Sequence, residues 1–173
     1  ADGVGINTST PVTELDVRGR LTLLDANANT FVGNGVGNET LTGTGNTAIS
    51  GNGALSSLTT GVDNLAVGAL AGKFLTTGTN NVMLGNSSIY NGNPTDGIGI
   101  GTAALYQNSG TGNIAISKQS LDANTTGNYN ISIGYQSMTA NITGSNNTAL
   151  GYRAGFSNLG SGNVFLGKWA GYN

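Results

Sequence analysis

The sequence predicts an all-β protein, a parallel β-solenoid or β-roll of about nine coils of about 17 residues each. A five-residue box recurs along most of the chain: Asn, an alternating triplet, and then Gly or Ser, with its clearest copy at residues 147–151. No apolar stripe with the period of a helix runs between the copies. The 30 Gly and a charged fraction of 8% also favour turns and short strands.

The chain before the repeat, residues 1–27, is predicted to be an extended or β-strand segment that leads into the solenoid. Residues 13–23 alternate apolar and polar side chains, which is typical of half-buried strands, with Gly19 as a bend or bulge. We therefore divide the chain into this segment and a repeat region at 28–173.

The residue that closes each box defines the period of the repeat. Successive closing residues are 17, 18, 17, 16, 16, 17, 17 and 16 positions apart, which is too short for a βα unit and long enough for strands and turns. Because Gly accepts positive φ, the closing glycines are predicted to turn the coil. They are Gly33, Gly68, Gly85, Gly101, Gly134, Gly151 and Gly167, and Ser50 and Ser117 stand in the other two copies.

The residue just before each closing position is always aliphatic, and we predict that it fills the core of the coil. These residues are Val32, Ile49, Val67, Leu84, Ile100, Ile116, Ile133, Leu150 and Leu166. The middle residue of the triplet is mostly small, as at Ala115 and Ala149, and alternation places it on the opposite face. We predict that this small residue leaves room for a neighbouring chain.

A second, shorter strand is predicted after each closing residue. A small residue follows three positions later, as at Ala154, and a bulkier apolar residue usually comes within two more, as at Phe156. A turn rich in Thr, Ser, Asn and Gly completes the coil. The box Asn is expected to form a ladder by bonding turn backbone of its own or the next coil.

Composition excludes several kinds of function. The chain has no Cys and no His, which removes thiol and imidazole chemistry, and we predict no cofactor, no metal site and no catalytic residue. A net charge of −2 with six Lys and Arg favours neither nucleic acid nor an anionic membrane. No apolar run approaches the length of a membrane helix, and no signal peptide is expected.

Two stretches resemble known families. Residues 147–155, with their copies over 28–173, are similar to the head repeats of trimeric autotransporter adhesins. They also resemble the repeat regions of tail fibres from phages and phage-like contractile injection systems. Residues 3–11 and 15–19 resemble the segment that often precedes such fibre repeats. The resemblance implies an extracellular fibre, on a virion, a phage-like particle or a bacterial surface, that holds or forms a receptor-binding region. It also implies a homotrimer, in which the three chains are either intertwined or side by side.

Other functions compete with a fibre. A bacterial adhesin head would bind host matrix or a glycan directly. Spaced Thr, as in residues 59–61, 76–78 and 125–127, would suit an ice-binding solenoid. A glycan-cleaving tailspike would need paired carboxylates, and only Asp63, Asp96 and Asp122 lie beyond Glu39. We predict that the chain is not an enzyme.

Exposed aromatic side chains are the candidate surface-binding residues, because such rings bind sugars or anchor protein contacts. The candidates are Tyr129, Tyr135, Tyr152 and Trp169. Trimer contact or core filling is the alternative interpretation of these rings. The partners expected from the sequence are other copies of the chain and a cell-surface glycan or protein receptor.

Overall fold

The computed structural model describes residues 4–6, 15–17 and 27–172. Within these residues the protein is all-β and contains no helix. In the N-terminal segment β1 (Val4–Ile6) pairs in parallel with β2 (Leu15–Val17), with Val4 opposite Leu15. The predicted bend at Gly19 and the continuation of the strand to residue 23 lie outside the described residues.

Nine strands, one from each box, form a single parallel sheet in chain order. The strands are β3 Thr30–Val32, β4 Thr47–Ile49, β5 Leu65–Val67, β6 Val82–Leu84, β7 Ile98–Ile100, β8 Ile114–Ile116, β9 Ile131–Ile133, β10 Thr148–Leu150 and β11 Val164–Leu166. Equivalent residues of successive boxes lie opposite one another, for example Ala115 and Ser132. The predicted parallel β-solenoid is confirmed, and nine rungs span roughly 40 Å at about 4.8 Å per strand.

The middle residue of each strand, and not its neighbours, faces the interior of the coil. Ala48, Ala115 and Ala149 are completely buried, whereas Ile49 is 46% exposed and Leu150 is 46% exposed. The prediction that the third residue of each triplet fills the core is therefore wrong. The residues concerned are Val32, Ile49, Val67, Leu84, Ile100, Ile116, Ile133, Leu150 and Leu166.

Geometry explains this reversal. A coil of about 17 residues encloses little space, so the middle residue of a strand must be small wherever a large side chain fills the position that faces it, and can be large, as at Met83, where a glycine faces it. In the coil of Ala115, Leu105 and Leu121 are buried in that space. What packs closely on the small residue is thus the chain's own coil, and the prediction that Ala115 and Ala149 meet another chain is wrong.

The half-coil after each strand consists of turns rather than the predicted second strand. The closing glycine takes a positive φ, from +114° at Gly167 to +139° at Gly134, and the residues two and four positions later usually take the left-handed conformation as well. Residues in that conformation interrupt the extended backbone of a strand. A Cβ at Gly68 would lie 2.8 Å from the carbonyl oxygen of Gly85, so the approach of the next coil also requires glycine there.

The box asparagines form a continuous ladder inside the coil, apart from one missing rung. Asn64 Nδ2 donates to Asn46 Oδ1 at 2.9 Å and to the Gly78 carbonyl at 2.8 Å. Asn64 Oδ1 in turn accepts from the backbone N–H and from Nδ2 of Asn81. The same pattern runs from Asn113 to Asn163, and Gly97 interrupts it.

The side chains at two interior positions of the coil are complementary in size. One is the residue four positions after most closing glycines, and the other is the middle residue of the following strand. Each of seven such pairs combines one large and one small side chain. The pairs are Leu55 with Ala66, Gly72 with Met83, Ile89 with Gly99, Leu105 with Ala115, Leu121 with Ser132, Met138 with Ala149 and Gly155 with Phe165. A Cβ at Gly72 would lie 2.7 Å from Met83 Sδ, so the glycine gives space to the methionine.

Candidate functional site

The outer surface of the nine-stranded sheet is an apolar strip, which we call the aliphatic face. It consists of the first and third residues of β3 to β11, and fifteen of these eighteen positions are Val, Ile or Leu, the others being Thr30, Thr47 and Thr148. Because strand residues alternate in direction, burying the middle residue turns both neighbours outward. The strip is roughly 40 Å long and about 10 Å wide, a footprint on the order of 400 Å².

Exposure varies along the aliphatic face. Leu84, Ile100 and Ile116 in the central coils are partly shielded by their neighbours, whereas Val164 is 75% and Leu166 is 73% exposed in β11. The largest apolar patch on a typical monomer covers about 300–600 Å² and is often functional, so a strip of this size is a candidate interaction surface. The described residues contain nothing that covers this one.

A second surface lies on the turns of the later coils. We call it the aromatic–basic patch, and it consists of Lys118, Tyr135, Tyr152, Arg153, Lys168 and Trp169. Backbone hydrogen bonds between successive coils place these residues in adjoining columns: Arg153 N–H donates to the Tyr135 carbonyl, and Trp169 N–H donates to the Tyr152 carbonyl, both at 2.9 Å. The predicted sugar-binding candidates Tyr135, Tyr152 and Trp169 are thus brought together.

The rings and cations of this patch touch one another. The rings of Tyr135 and Tyr152 stack with centroids 5.4 Å apart, and the Tyr152 and Trp169 centroids are also 5.4 Å apart. The Arg153 guanidinium carbon lies 5.2 Å from the Trp169 ring centroid and 5.5 Å from that of Tyr152. Arg153 Nε–H donates to Gln136 Oε1 at 2.8 Å. These contacts fix the direction of the guanidinium and of the rings.

Tyr129, the fourth aromatic candidate, lies elsewhere. It has a φ of +54° and immediately precedes the box asparagine, on the opposite side of the strand from the closing turn. The ring is 62% exposed and packs over Gly112, where a Cβ would lie 2.6 Å from Tyr129 Cδ1. A separate aromatic group occurs in the earlier coils, where Tyr90 and Tyr106 stack at 4.8 Å.

The three later carboxylates lie in three different coils. Asp63 and Asp96 occupy equivalent left-handed positions, with the coil of Asn80 between them, so two coil spacings of about 4.8 Å separate them. Asp122 lies in a different turn. Burial raises the pKa of Asp122 from 3.8 to about 6, and its Oδ1 has no hydrogen-bond partner.

The first Thr of each Thr-Thr-Gly turn is occupied by hydrogen bonding between coils. Thr59 Oγ1 donates to the Thr76 carbonyl at 3.0 Å, and Thr125 Oγ1 donates to the Ile142 carbonyl at 3.1 Å. The second Thr, as at Thr60 and Thr126, is exposed. The second Thr of each turn therefore presents its hydroxyl group to solvent, whereas the first Thr uses its hydroxyl group to stabilise the turn.

The interior contains a second asparagine column that was not predicted from the sequence. Asn124 Nδ2 donates to Asn108 Oδ1 at 2.7 Å and to the Gly127 carbonyl at 3.0 Å. Leu58 and Leu75 occupy the equivalent position in earlier coils. An Asn or Leu two or three residues before a turn Gly, repeating with the coil, was the available signal.

Comparison with protein-family models, with curated proteins and with solved structures finds no match for this chain. In the part of the chain that the structure describes, no helix is long and apolar enough to cross a membrane. The same residues contain no cluster of three or more acidic, His or Cys side chains that could hold a metal ion. The fold defines the chain as a β-solenoid repeat protein, and its two exposed surfaces are the basis for a functional proposal.

Proposed function

We propose that the chain is a structural segment of a tail fibre or related surface-attachment fibre, in which three copies pack side by side through their aliphatic faces. The observation that carries this proposal is the aliphatic face, and above all its column of third residues. Its third-residue column contains no polar side chain in any of the nine strands. Leaving such a strip in water would cost free energy and would invite aggregation, and packing against other copies removes both problems.

The geometry of the coil favours side-by-side packing over intertwined chains. Each coil closes on its own backbone, and its interior is filled by its own side chains, such as Leu105 and Ala115. Every strand from β4 to β10 already has a partner on each side within the chain. Another copy therefore needs only to dock against the sheet face, and three narrow faces can surround a common axis as the fibre resemblance implies.

A rod of this kind performs mechanical work. Coils joined by backbone hydrogen bonds and by the asparagine ladder resist bending, and a trimer of them would hold a receptor-binding end away from a particle. An adhesin head that binds a glycan directly is the second candidate, and the aromatic–basic patch is the observation that favours it.

Light scattering of the purified chain tests the proposal. We expect a particle of three times the chain mass. Ile116→Lys places a charge in the centre of the aliphatic face and is expected to yield folded monomers, because an unpaired charge is costly in an apolar interface. Thr126→Lys is the matched control, since it places the same charge on an exposed turn and should leave the trimer intact.

Two results would contradict this account. A monomeric wild-type chain with unchanged circular dichroism would remove the fibre proposal. A trimer that tolerates Ile116→Lys and dissociates with Thr126→Lys would place the interface on the turns instead.

A further inference from the structure

We infer that the aromatic–basic patch binds an extended anionic polysaccharide, specifically one whose sugar rings carry carboxylates. The inference goes beyond the proposed shaft and does not rest on self-association, because the patch lies on the turns and the aliphatic face lies on the sheet.

The later coils differ in charge from the chain as a whole. The whole chain has a net charge of −2, yet the coils from residue 117 onward carry Lys118, Arg153 and Lys168 against the single acidic residue Asp122. Lys118 and Lys168 are exposed. Positive charge is thus concentrated where the aromatic side chains are, which favours an anionic ligand over a neutral one.

The hydrogen-bond donors of Arg153 suit a carboxylate, and would equally suit a phosphate. A guanidinium presents five N–H donors in a planar fork that matches a carboxylate, and the bond to Gln136 uses one of the five in Arg153. Contacts with the rings of Tyr152 and Trp169 hold that fork in place before a ligand arrives, which lowers the entropy cost of binding.

The aromatic rings and the coil spacing select a sugar polymer. Trp169 is 39% and Tyr152 is 40% exposed, so both rings offer apolar surface to the C–H face of a pyranose. Equivalent residues recur at about 4.8 Å along the patch, which is comparable with the rise of one sugar residue in an extended polysaccharide. A polymer lying along the solenoid would therefore meet a repeated set of contacts.

Tryptophan fluorescence gives a direct readout, because Trp169 is the only Trp of the chain. The full chain is titrated with polygalacturonate, with neutral dextran and with polyglutamate. We expect only polygalacturonate to change the Trp169 emission at low concentration, and we expect this binding to weaken as salt is raised. Equal binding of dextran would show that charge is not used, and equal binding of polyglutamate would show that the sugar ring is not used; either result overturns the inference.

Charge variants locate the site. The double variant Lys118→Gln with Lys168→Gln changes exposed side chains only, so it should fold normally, bind polygalacturonate about tenfold more weakly, and show a weaker salt dependence of binding. Lys73→Gln is the matched control, because Lys73 lies beside the separate ring of Phe74, and it should bind as the wild type does. Unchanged binding by the double variant, or an equal loss with Lys73→Gln, would overturn the inference.

Experiments can reject the polysaccharide site and the shaft proposal separately. Monomers of an uncharged interface variant, Ile116→Asn, are expected to bind short oligogalacturonates with the affinity per chain of the wild type, since the patch is complete in one chain and no new charge is placed beside Lys118. A trimer that binds no polygalacturonate would reject this inference and leave the shaft proposal standing.

Discussion

The box asparagine shows at the scale of one residue why the coils stack in a single register. Within the two unbroken runs of the ladder, a box amide bonds the amide of the previous coil and a turn carbonyl of the next, as Asn130 does with Asn113 Oδ1 at 3.0 Å and with the Gly144 carbonyl at 2.8 Å. These groups are buried, so a coil displaced by one residue would leave donors and acceptors without partners. The ladder therefore ties the register of the whole sheet to one side chain per coil.

The missing rung at Gly97 offers a stabilising substitution. Gly97 N–H donates to Asn81 Oδ1 at 2.8 Å, but the residue has no amide to continue the ladder toward Asn113. We expect Gly97→Asn to raise the free energy of unfolding by about 1–2 kcal/mol, measured by urea denaturation.

Gly97→Ala is the control for this substitution. It adds the Cβ, which would lie 2.9 Å from Asn81 Oδ1, and loses the backbone freedom of glycine without supplying the amide. If the Asn and Ala variants have the same stability, the ladder contributes nothing at this position.

The raised pKa of the Asp122 carboxyl group predicts that the stability of the fold depends on pH. Its pKa is raised from 3.8 to about 6 in the folded state, mainly because burial disfavours the carboxylate. Between these two values the folded chain binds more protons than the unfolded chain, so stability is highest below the lower value and falls as pH rises to about 6.

Asp122→Asn should remove this dependence. Asp122 is only partly buried, so solvent screening limits the effect, and we expect the variant to be about 1 kcal/mol more stable at neutral pH and equal to the wild type in acid. Thermal melting of both proteins across this pH range measures the difference. A wild-type chain that gains stability as pH rises through this range would contradict the assignment.

At the scale of one element, the reciprocal volumes across each coil explain how one backbone accepts very different side chains. Gly155 faces Phe165, and a Cβ on that glycine would lie 2.6 Å from Phe165 Cδ2. Leu105 faces Ala115 in the equivalent places. Interiors at crystal-like density tolerate exchanges that conserve the total volume, and they resist changes at one position alone.

Swapping the volumes at Gly72 and Met83 tests this complementarity. Gly72→Leu alone should overpack the coil and cost about 1–3 kcal/mol, and Met83→Ala alone should leave a cavity that costs about 2–5 kcal/mol. The double variant should recover most of both losses, because Leu55 and Leu105 already adopt the left-handed conformation that the introduced leucine would need. Denaturant unfolding of the four proteins gives the coupling energy, and simple additivity would contradict the pairing.

The repeat made the positions of the strands predictable, but not which of their side chains face the interior of the coil. The box at 147–151 locates the strand Thr148–Leu150 because Asn, alternation and Gly are local signals. Whether Leu150 or Ala149 faces inward depends on the width of the closed coil, which alternation does not contain. A large Leu normally indicates a core position, and here the narrow interior overrides that preference.

The candidate surfaces were predictable to different degrees. Tyr135, Tyr152 and Trp169 recur at the coil period, so their meeting on one side follows from the repeat alone. Tyr129 falls at a different place within the coil, and the abundance of aromatic residues in the later copies does not separate it from the other three rings. The aliphatic face was not predictable, because alternation along a strand does not specify which of its two sides faces the interior of the coil.

At the scale of the whole molecule, the solenoid separates two tasks. Buried Leu, Ile and Met side chains, the small residues that face them and the asparagine amides stabilise each coil from within, and the first and third residues of each strand are left for contact outside it. The central claim is that these outward side chains form the contact between copies.

Interchain distances between spin labels test this claim most directly, and the absence of native Cys makes single labels possible. Labels at Ile116→Cys should show distances between copies of roughly 10–20 Å, as expected for sheets packed about 10 Å apart. Labels at Thr126→Cys, on the exposed turn, should show longer distances. Short distances at position 126 together with long or absent distances at position 116 would contradict the account.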